Sequence, residues 1–265
     1  ALRAQLGSMG LGDSARYEID FRLKIEEQDY ESAVLAAHGL AFEALADDGL
    51  VVGGQPVKLS LLVANSGSSE IAVGEVAVAG FDGRANCTPG SVKKDGFYTC
   101  TADVQVPKNA KLTTPYWTDQ YWTTKPPKAA LDIFEPDVPF GAPFRPTPFR
   151  VAFRLKVGTV EVTKELPVQF RYSKDIFIGE KRIELNVVPA FSVKTTPGTA
   201  VVPARARTGA GPGKPIEREV HVSVTNGTKG ASQAAVTLDL PAGCKATPAS
   251  APLHFTNEDE SLTVR

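Results

Sequence analysis

Cysteine and histidine, the side chains that most often bind metal ions or act as nucleophile and base, are scarce in this chain. Its 265 residues include three of each. Cys87, Cys100 and Cys244 are too few and too scattered for a zinc knuckle or ribbon. The histidines stand far apart, and none lies in an H-E-x-x-H or similar catalytic pattern. We therefore expect no catalytic residue and no metal site within these residues.

An excess of charge and a long apolar run are also missing. The 29 basic and 30 acidic residues give a net charge of -1, so the chain has no broad basic field to hold a phosphate backbone. This argues against nucleic acid as a partner. No run approaches the roughly 18 apolar residues of a membrane span, and the first residues lack the order of a signal peptide. We expect a chain that does not span a membrane.

What the chain does have is one strand pattern that occurs twice. From Val57 to Ala64, apolar residues alternate with others, between a Gly-Gln-Pro start and an Asn-Ser-Gly stop. From Glu219 to Thr225 the alternation returns and ends at Asn226-Gly227. Alternation with period two is typical of a strand with one face in a core. Two such strands predict two similar β domains.

The spacing of the other strand-like segments predicts tandem immunoglobulin-like antiparallel β-sandwiches preceded by one amphipathic helix. We divide the chain into a helical segment at 1–40, a first sandwich at 41–189 and a second at 190–265. Strands are expected at 42–46, 50–52, 57–64, 71–78, 97–106, 149–157, 160–172, 183–188, 191–193, 200–202, 219–225, 234–240 and 261–264. The chain stops at Arg265 within an alternating run, so we expect a piece of a longer protein whose second sandwich has an open edge that favours association.

Residues 14 to 39 fit a helix better than a strand. A stripe of Ile19, Leu23, Tyr30, Val34 and Ala37 has helical spacing, and acidic residues lie on the other face. Asp13 or Ser14 is expected to cap a helix of about five or six turns, and Gly39 to end it. The apolar stripe needs a surface to cover, either the first β domain or another domain upstream.

Prolines and phenylalanines interleave between Lys125 and Phe149. Proline at this density excludes a central strand. One interpretation is a polyproline ligand, because the segment contains two P-x-x-P patterns. We favour the other, an extended connection held on the sandwich by its phenylalanines, because solvated polyproline ligands seldom carry so many aromatics.

Cys87 and Cys100 flank a turn-rich stretch and form a candidate disulfide. A bond would close a loop of roughly 14 residues, worth about 3 kcal/mol, and would fit an oxidising, extracytoplasmic setting. The alternative is two small buried thiols. Asn86-Cys-Thr88 and Asn226-Gly-Thr228 fit the N-x-[ST] glycosylation pattern, which is short enough to arise by chance.

Both tryptophans of the chain fall in one eight-residue stretch from Pro115 to Trp122. Flat aromatic faces stack on sugar rings or anchor a partner. The alternative is that these rings plug the end of the sandwich or contact a neighbouring domain. The candidate residues for ligand or domain contact are Tyr116, Trp117, Tyr121 and Trp122.

Several short motifs occur in a recognisable order. They are Tyr17-Glu-Ile-Asp-Phe-Arg-Leu-Lys24, Leu45-Ala-Asp-Asp48, Thr114-Pro-Tyr-Trp117, Pro139-Phe-Gly-Ala-Pro-Phe-Arg145, Phe170-Arg-Tyr172, Gly179-Glu-Lys-Arg182 and Val187-Val-Pro189. In this order they resemble the region that follows the catalytic domain in large exported PIG-L (LmbE-like) deacetylases. Residues 190 to 265 resemble the start of a NEW3-type sandwich domain, through Val222-Ser-Val-Thr-Asn226 and Leu240-Pro-Ala-Gly243, although Cys244 stands where a Trp is usual.

The resemblance implies a function without placing catalysis in this chain. The family's catalytic domain binds zinc through a P-H-P-D-D motif and a later histidine, and it removes acetyl groups from N-acetylglucosamine-type amides. No stretch here matches that motif, so no catalytic role is carried over to any residue. The expected function is a non-catalytic, extracytoplasmic accessory region that supports an upstream zinc-containing catalytic domain and contacts glycan. The alternative is a free-standing carbohydrate-binding or adhesion module.

Overall fold

The computed structural model describes residues 2–122, 133–172, 179–199 and 217–265, without the side chains of Asp119 and Trp122. The expected strand at 200–202 and the first prolines of the proline-rich segment lie outside this part of the chain. The described part is mainly β with several sheets. None of its helices is both long and apolar enough to cross a membrane.

Two short helical pieces and one long helix precede the strands. Helix α1 spans Leu2–Gln5, a 3-10 turn follows at Leu6–Ser8, and helix α2 spans Asp13–Ala37. The sixteen strands of the described ranges are β1 (Leu40–Ala46), β2 (Leu50–Val51), β3 (Pro56–Asn65), β4 (Ile71–Ala79), β5 (Gly90–Val92), β6 (Gly96–Gln105), β7 (Arg150–Val157), β8 (Val160–Pro167), β9 (Gln169–Tyr172), β10 (Lys181–Glu184), β11 (Asn186–Val187), β12 (Phe191–Thr196), β13 (His221–Asn226), β14 (Ser232–Val236), β15 (Ala251–Phe255) and β16 (Ser261–Val264).

Contacts divide the chain into two compact units. Unit 1 comprises residues 1–49, 56–105 and 146–185, and unit 2 comprises 50–55, 106–145 and 186–265. Unit 1 contains a five-stranded sheet in the order β10-β9-β1-β3-β6 and a four-stranded sheet in the order β5-β4-β7-β8. Unit 2 contains the sheet β12-β13-β16 and the pairs β14-β15 and β2-β11.

The predicted alternation of β3 is confirmed, and it explains the core of unit 1. Val57, Leu59, Leu61 and Val63 are at most 2% exposed, whereas the residues between them face outward or lie at intermediate depth. Phe42 of the first sheet lies 5.7 Å, between ring centroids, from Phe153 of the second. The two sheets therefore face each other across one apolar layer, an arrangement consistent with a β-sandwich.

In unit 2 the alternation of β13 is confirmed as well. Val222 and Val224 are buried together with Leu253 and Phe255 of β15, and other apolar side chains pack around these four. This core is much smaller than that of unit 1. Burial of apolar area is the main favourable term in folding, so unit 2 gains less from its described strands.

Helix α2 differs from its prediction in length and in burial. Its 25 residues make about seven turns, and Gly12, not Asp13 or Ser14, holds the N-cap position. The end is as expected, because Gly39 has φ +61° and stops the helix. The predicted stripe is largely uncovered within the described residues. Ile19 is 37% and Tyr30 73% exposed, and Leu35 is the buried residue of the helix.

The expected strand from Val160 to Tyr172 is instead two strands in different sheets. The predicted strand breaks after Pro167, because proline has no amide hydrogen to donate to a neighbouring strand. Val168 is fully buried and donates its amide to Phe149 O at 2.9 Å. From there β9 pairs with β1 and β10, whereas β8 pairs with β7.

A buried asparagine ends β3, and its side chain reaches the other sheet of unit 1. The Asn65 amide nitrogen donates to Ser69 O at 2.7 Å and to Val92 O at 2.9 Å, and its oxygen accepts the amide of Gly67 at 2.9 Å. Asn65 is 1% exposed. At Gly67 a Cβ would lie 2.2 Å from His38 O, so the turn admits no larger residue.

The same arrangement ends β13 in unit 2. Asn226 is 0% exposed. Its amide nitrogen donates to Gly230 O at 2.8 Å and Asn257 O at 2.9 Å, and its oxygen accepts the amide of Thr228 at 3.0 Å. The N-x-[ST] pattern at Asn226 is thus a structural turn, and its amide is not accessible to a glycosylating enzyme in the folded chain.

Two further features repeat with the asparagines. The first residue of a paired strand lies opposite each asparagine: Leu40 of β1 lies opposite Asn65, and Phe191 of β12 lies opposite Asn226. An aspartate with positive φ, Asp95 at 57° and Asp259 at 59°, leads into the strand on the other side, β6 or β16. We call this shared arrangement the asparagine corner.

We expect Asn65→Ala to lower the free energy of unfolding by about 2 to 3 kcal/mol, because it leaves buried carbonyl and amide groups unpaired. Urea unfolding followed by circular dichroism measures the change. Asn86→Ala is the matched control, since Asn86 is exposed and should change stability by less than about 0.5 kcal/mol. Equal effects of the two substitutions would contradict the role of the corner.

Candidate functional site

The stretch that contains Tyr116 and Trp117 is held by a short ladder within unit 2. Thr118 donates its amide to Ile133 O at 2.9 Å, and Glu135 donates its amide to Tyr116 O at 2.8 Å. Trp117 and Phe134 form an antiparallel bridge between these hydrogen bonds. The ladder places aromatic residues from two distant stretches of sequence side by side.

Among the side chains that the structure describes, five aromatic rings meet there, and we call them the aromatic cluster: Tyr116, Trp117, Tyr121, Phe134 and Phe140. Tyr116 is their centre, with its ring 5.1 Å from Trp117, 6.1 Å from Phe134 and 5.1 Å from Phe140. Phe134 also lies 6.2 Å from Tyr121 and 5.6 Å from Phe140. Edge-to-face and stacked pairs at these distances are favourable beyond the area that they bury.

An open cavity of about 340 Å³ lies in the cluster. Its lining residues are Tyr116, Phe134, Glu135, Pro136, Val138 and Phe140. Phe140 is 81% exposed and Tyr121 is 41% exposed, although large aromatic side chains are usually buried. The wall is therefore apolar and aromatic, with one carboxylate, from Glu135, that can accept hydrogen bonds.

Arg145 ties together the two stretches that carry the rings. Its guanidinium donates to Leu112 O at 3.2 Å, to Thr114 Oγ1 at 3.4 Å and to Glu135 Oε2 at 3.2 Å. It also pairs with Asp137, and its backbone amide donates to Thr114 O at 2.7 Å. The Arg145 side chain is only 12% exposed. A planar, five-donor group is suited to this bridging role, which a lysine could not fill.

The charges of this network stabilise one another. Hydrogen bonds from Arg145 and then from Lys111 hold the pKa of Asp137 well below the ordinary value of an aspartate. The hydrogen bond to Asp137 in turn raises the pKa of Arg145. Asp137 therefore stays ionised well into the acid range and keeps Arg145 in place beside Glu135, which lines the cavity.

The structure brings together three of the four predicted contact residues. Tyr116, Trp117 and Tyr121 belong to the cluster, whereas the Trp122 side chain lies outside the described part of the chain. Sequence reasoning missed Phe134 and Phe140. Both lie in the proline-rich segment, and we expected the phenylalanines of that segment to hold it on the sandwich. Phe149 is fully buried as expected, but Phe140 and Phe144 are 81% and 62% exposed.

Cys87 and Cys100 form a disulfide with a Cα–Cα distance of 5.7 Å, within unit 1. It joins the loop before β5 to β6, and Tyr98 donates its hydroxyl to Thr88 O at 2.9 Å in the same loop. Of the two alternatives left open by the sequence, the bonded form is the one present. Cys244 is free and exposed.

Two acidic runs, Asp47-Asp48 and Glu258-Asp259-Glu260, contain carboxylates that accept backbone amides. Asp47 and Asp48 accept the amides of Lys58 and Gly49 at 2.9 and 2.6 Å. Glu260 accepts the amides of Thr256 and Asn257, and these hydrogen bonds lower its pKa. Within the described ranges, no three side chains of His, Cys, Asp or Glu are grouped as metal ligands would be.

We expect Arg145→Met to lower stability by about 2 kcal/mol, because it leaves the partly buried Glu135 carboxylate, the Thr114 hydroxyl and the Leu112 carbonyl without their donor. The loss should appear as reduced near-UV circular dichroism of the aromatic cluster. Arg150→Met is the matched control, because the Arg150–Glu165 pair is solvent-exposed and such pairs contribute about 0 to 1 kcal/mol. A near-UV signal that survives Arg145→Met would contradict this role.

The network should also be sensitive to acid. Folding depresses the pKa of Asp137 below its unfolded value of about 3.8. The stability that the ionised Asp137 side chain contributes is therefore complete above that pH and is lost as the pH falls through the folded pKa. An acid titration of the near-UV signal measures this loss. Asp137→Asn should flatten the titration in that range, and an unchanged acid titration in Asp137→Asn would contradict the prediction.

No protein-family model matches the chain, and a search of curated proteins finds no match.

Proposed function

We propose that this chain is a non-catalytic accessory region of a PIG-L-like zinc-dependent deacetylase and that its aromatic cluster contacts glycan. The observation that supports glycan contact is the open cavity between Tyr116, Phe134 and Phe140. Exposed aromatic faces bind the apolar faces of sugar rings, and the Glu135 carboxylate beside them can accept hydrogen bonds from sugar hydroxyl or amide groups. N-acetylglucosamine oligomers are the ligand class that fits the resemblance to the deacetylases.

The accessory role rests on helix α2 as well as on the resemblance. Tyr17 and Phe21 lie one turn apart on the helix, stack on each other at 6.3 Å and are 70% and 53% exposed. Large apolar side chains left uncovered on one helix are typical of an interaction surface. In the proposal, this surface packs against the zinc-containing catalytic domain of the same protein, which supplies the chemistry.

The proposal includes tandem immunoglobulin-like sandwiches and an extracytoplasmic location. The repeated asparagine corner supports two copies of one kind of domain. The disulfide between Cys87 and Cys100 supports an oxidising compartment.

A free-standing carbohydrate-binding or adhesion module is the second candidate. It is favoured by the same exposed rings and needs no surface on helix α2. Acrylamide quenching of tryptophan fluorescence measures whether the tryptophan rings are accessible to solvent, as the glycan contact that both candidates share requires. Quenching that leaves both Trp117 and Trp122 untouched would contradict the binding module.

Glycan binding predicts a specific loss in Phe140→Ala. Titration of the chain with a chito-oligosaccharide, followed by NMR or calorimetry, should show an affinity at least about tenfold weaker in this variant, or about 1.4 kcal/mol. Phe144→Ala is the matched control, because Phe144 is also exposed but does not line the cavity. Equal affinities of wild type and Phe140→Ala, or no binding by the wild type, would contradict glycan contact at this site.

A further inference from the structure

The rings that line the cavity of the aromatic cluster form a corner and not one flat platform. Tyr116 and Phe134 lie nearly parallel, with 18° between their ring planes. The ring of Phe140 is inclined at 63° to Tyr116 and at 78° to Phe134, with centroid distances of 5.1 and 5.6 Å. Steeply inclined rings are the walls of the aromatic cages that bind ammonium groups, because the face of each ring is negative.

A carboxylate stands beside these rings. Glu135 lines the same cavity as Tyr116, Phe134 and Phe140, and its side chain is 27% exposed. Arg145 donates to Oε2 of Glu135 at 3.2 Å. A carboxylate has two oxygens and can accept about four hydrogen bonds, so Glu135 can hold Arg145 and still accept a donor from a ligand.

The charges around Glu135 leave a negative field on the cavity side. Arg145, 12% exposed, shares its guanidinium between Glu135 and Asp137. Lys111 pairs with Asp137, but it is 67% exposed, and solvent screens such a charge strongly. Neither Arg145 nor Lys111 belongs to the lining of the cavity. A group that enters the cavity therefore meets the Glu135 carboxylate and three negative ring faces before it meets a positive charge.

This lining distinguishes two forms of an amino sugar. A protonated amine offers three N–H donors and a full positive charge, whereas an N-acetyl group offers one amide N–H and no charge. Hydrogen bonds to charged groups are stronger than those between neutral groups, and a cation over a ring face is attracted further. Loss of water from the ammonium offsets part of this gain, so the preference should be about fivefold to tenfold in affinity.

We propose that the cavity selects sugars with a protonated amine over their N-acetylated forms, an inference that rests on the proposed glycan contact. The ammonium group binds Glu135 and the faces of the rings of Tyr116 and Phe140. Hydrolysis of an N-acetyl group is the class of reaction that produces such a sugar. Beside a deacetylase domain, the site would therefore hold the product of the reaction in preference to its substrate.

Calorimetric titration of the full chain with two trisaccharides, one of glucosamine and one of N-acetylglucosamine, tests the selectivity. At low salt and at a pH where the sugar amine is protonated, the glucosamine trisaccharide should bind at least about fivefold more tightly. Added salt should reduce this difference, because it screens the charge of Glu135. Equal affinities, or tighter binding of the N-acetylated sugar, would overturn the selectivity but leave glycan contact standing. Binding of neither sugar would overturn both proposals.

Glu135→Gln removes the charge and keeps an oxygen that can accept Arg145. The ratio of the two affinities should fall to about one in this variant, because the remaining amide no longer attracts a cation. Glu75→Gln is the matched control, since Glu75 also pairs with an arginine, Arg154, at 3.2 Å and does not line the cavity. An unchanged ratio in Glu135→Gln, or an equal fall in Glu75→Gln, would overturn the role of Glu135 in selecting the amine.

Discussion

The fold depends on the side-chain amide of a buried asparagine at the point where a strand leaves its sheet. A strand that ends inside a core leaves backbone carbonyl groups without partners, and each buried, unpaired group costs about 1 to 3 kcal/mol. Asn65 and Asn226 solve this problem in the same way. Each donates to at least two carbonyl oxygens across the corner and accepts at least one hydrogen bond from the turn that follows. Their geometry fixes where the next strand begins.

The two units share this corner but differ in what surrounds it. In unit 1, nine strands in two sheets enclose a continuous apolar layer that includes Phe149 and Phe153. In unit 2, the described parts of β13 and β15 bury a cluster of four apolar residues near the second corner, and the separate pair β2-β11 buries Val51 and Val187. Since stability is a small difference between large terms, the smaller core leaves unit 2 more dependent on added contacts. The candidate ligand site lies on connections between strands, where a short backbone ladder and the Arg145 side chain hold the rings together.

The sequence predicted the features that depend on local pattern. Alternation identified β3 and β13, and Gly39 marked the end of helix α2, because these signals are carried by neighbouring residues. It missed β5, which has three residues, and β15, where Pro252 hides the alternation of Leu253 and Phe255. The switch of sheet at Val168 and the meeting of Phe134 and Phe140 with Tyr116 also escaped prediction. They depend on residues far apart in sequence, such as Arg145 and Thr114, and periodicity does not report such contacts.

The most direct test of the repeated corner is the exchange rate of the side-chain amide protons of Asn65 and Asn226, measured by NMR on the intact chain. Both amides are buried and hydrogen-bonded to carbonyl oxygens, so both should exchange far more slowly than the side-chain amide of the exposed Asn86. Exchange of either asparagine at the rate of Asn86 would contradict the claim that one buried amide organises each of the two units.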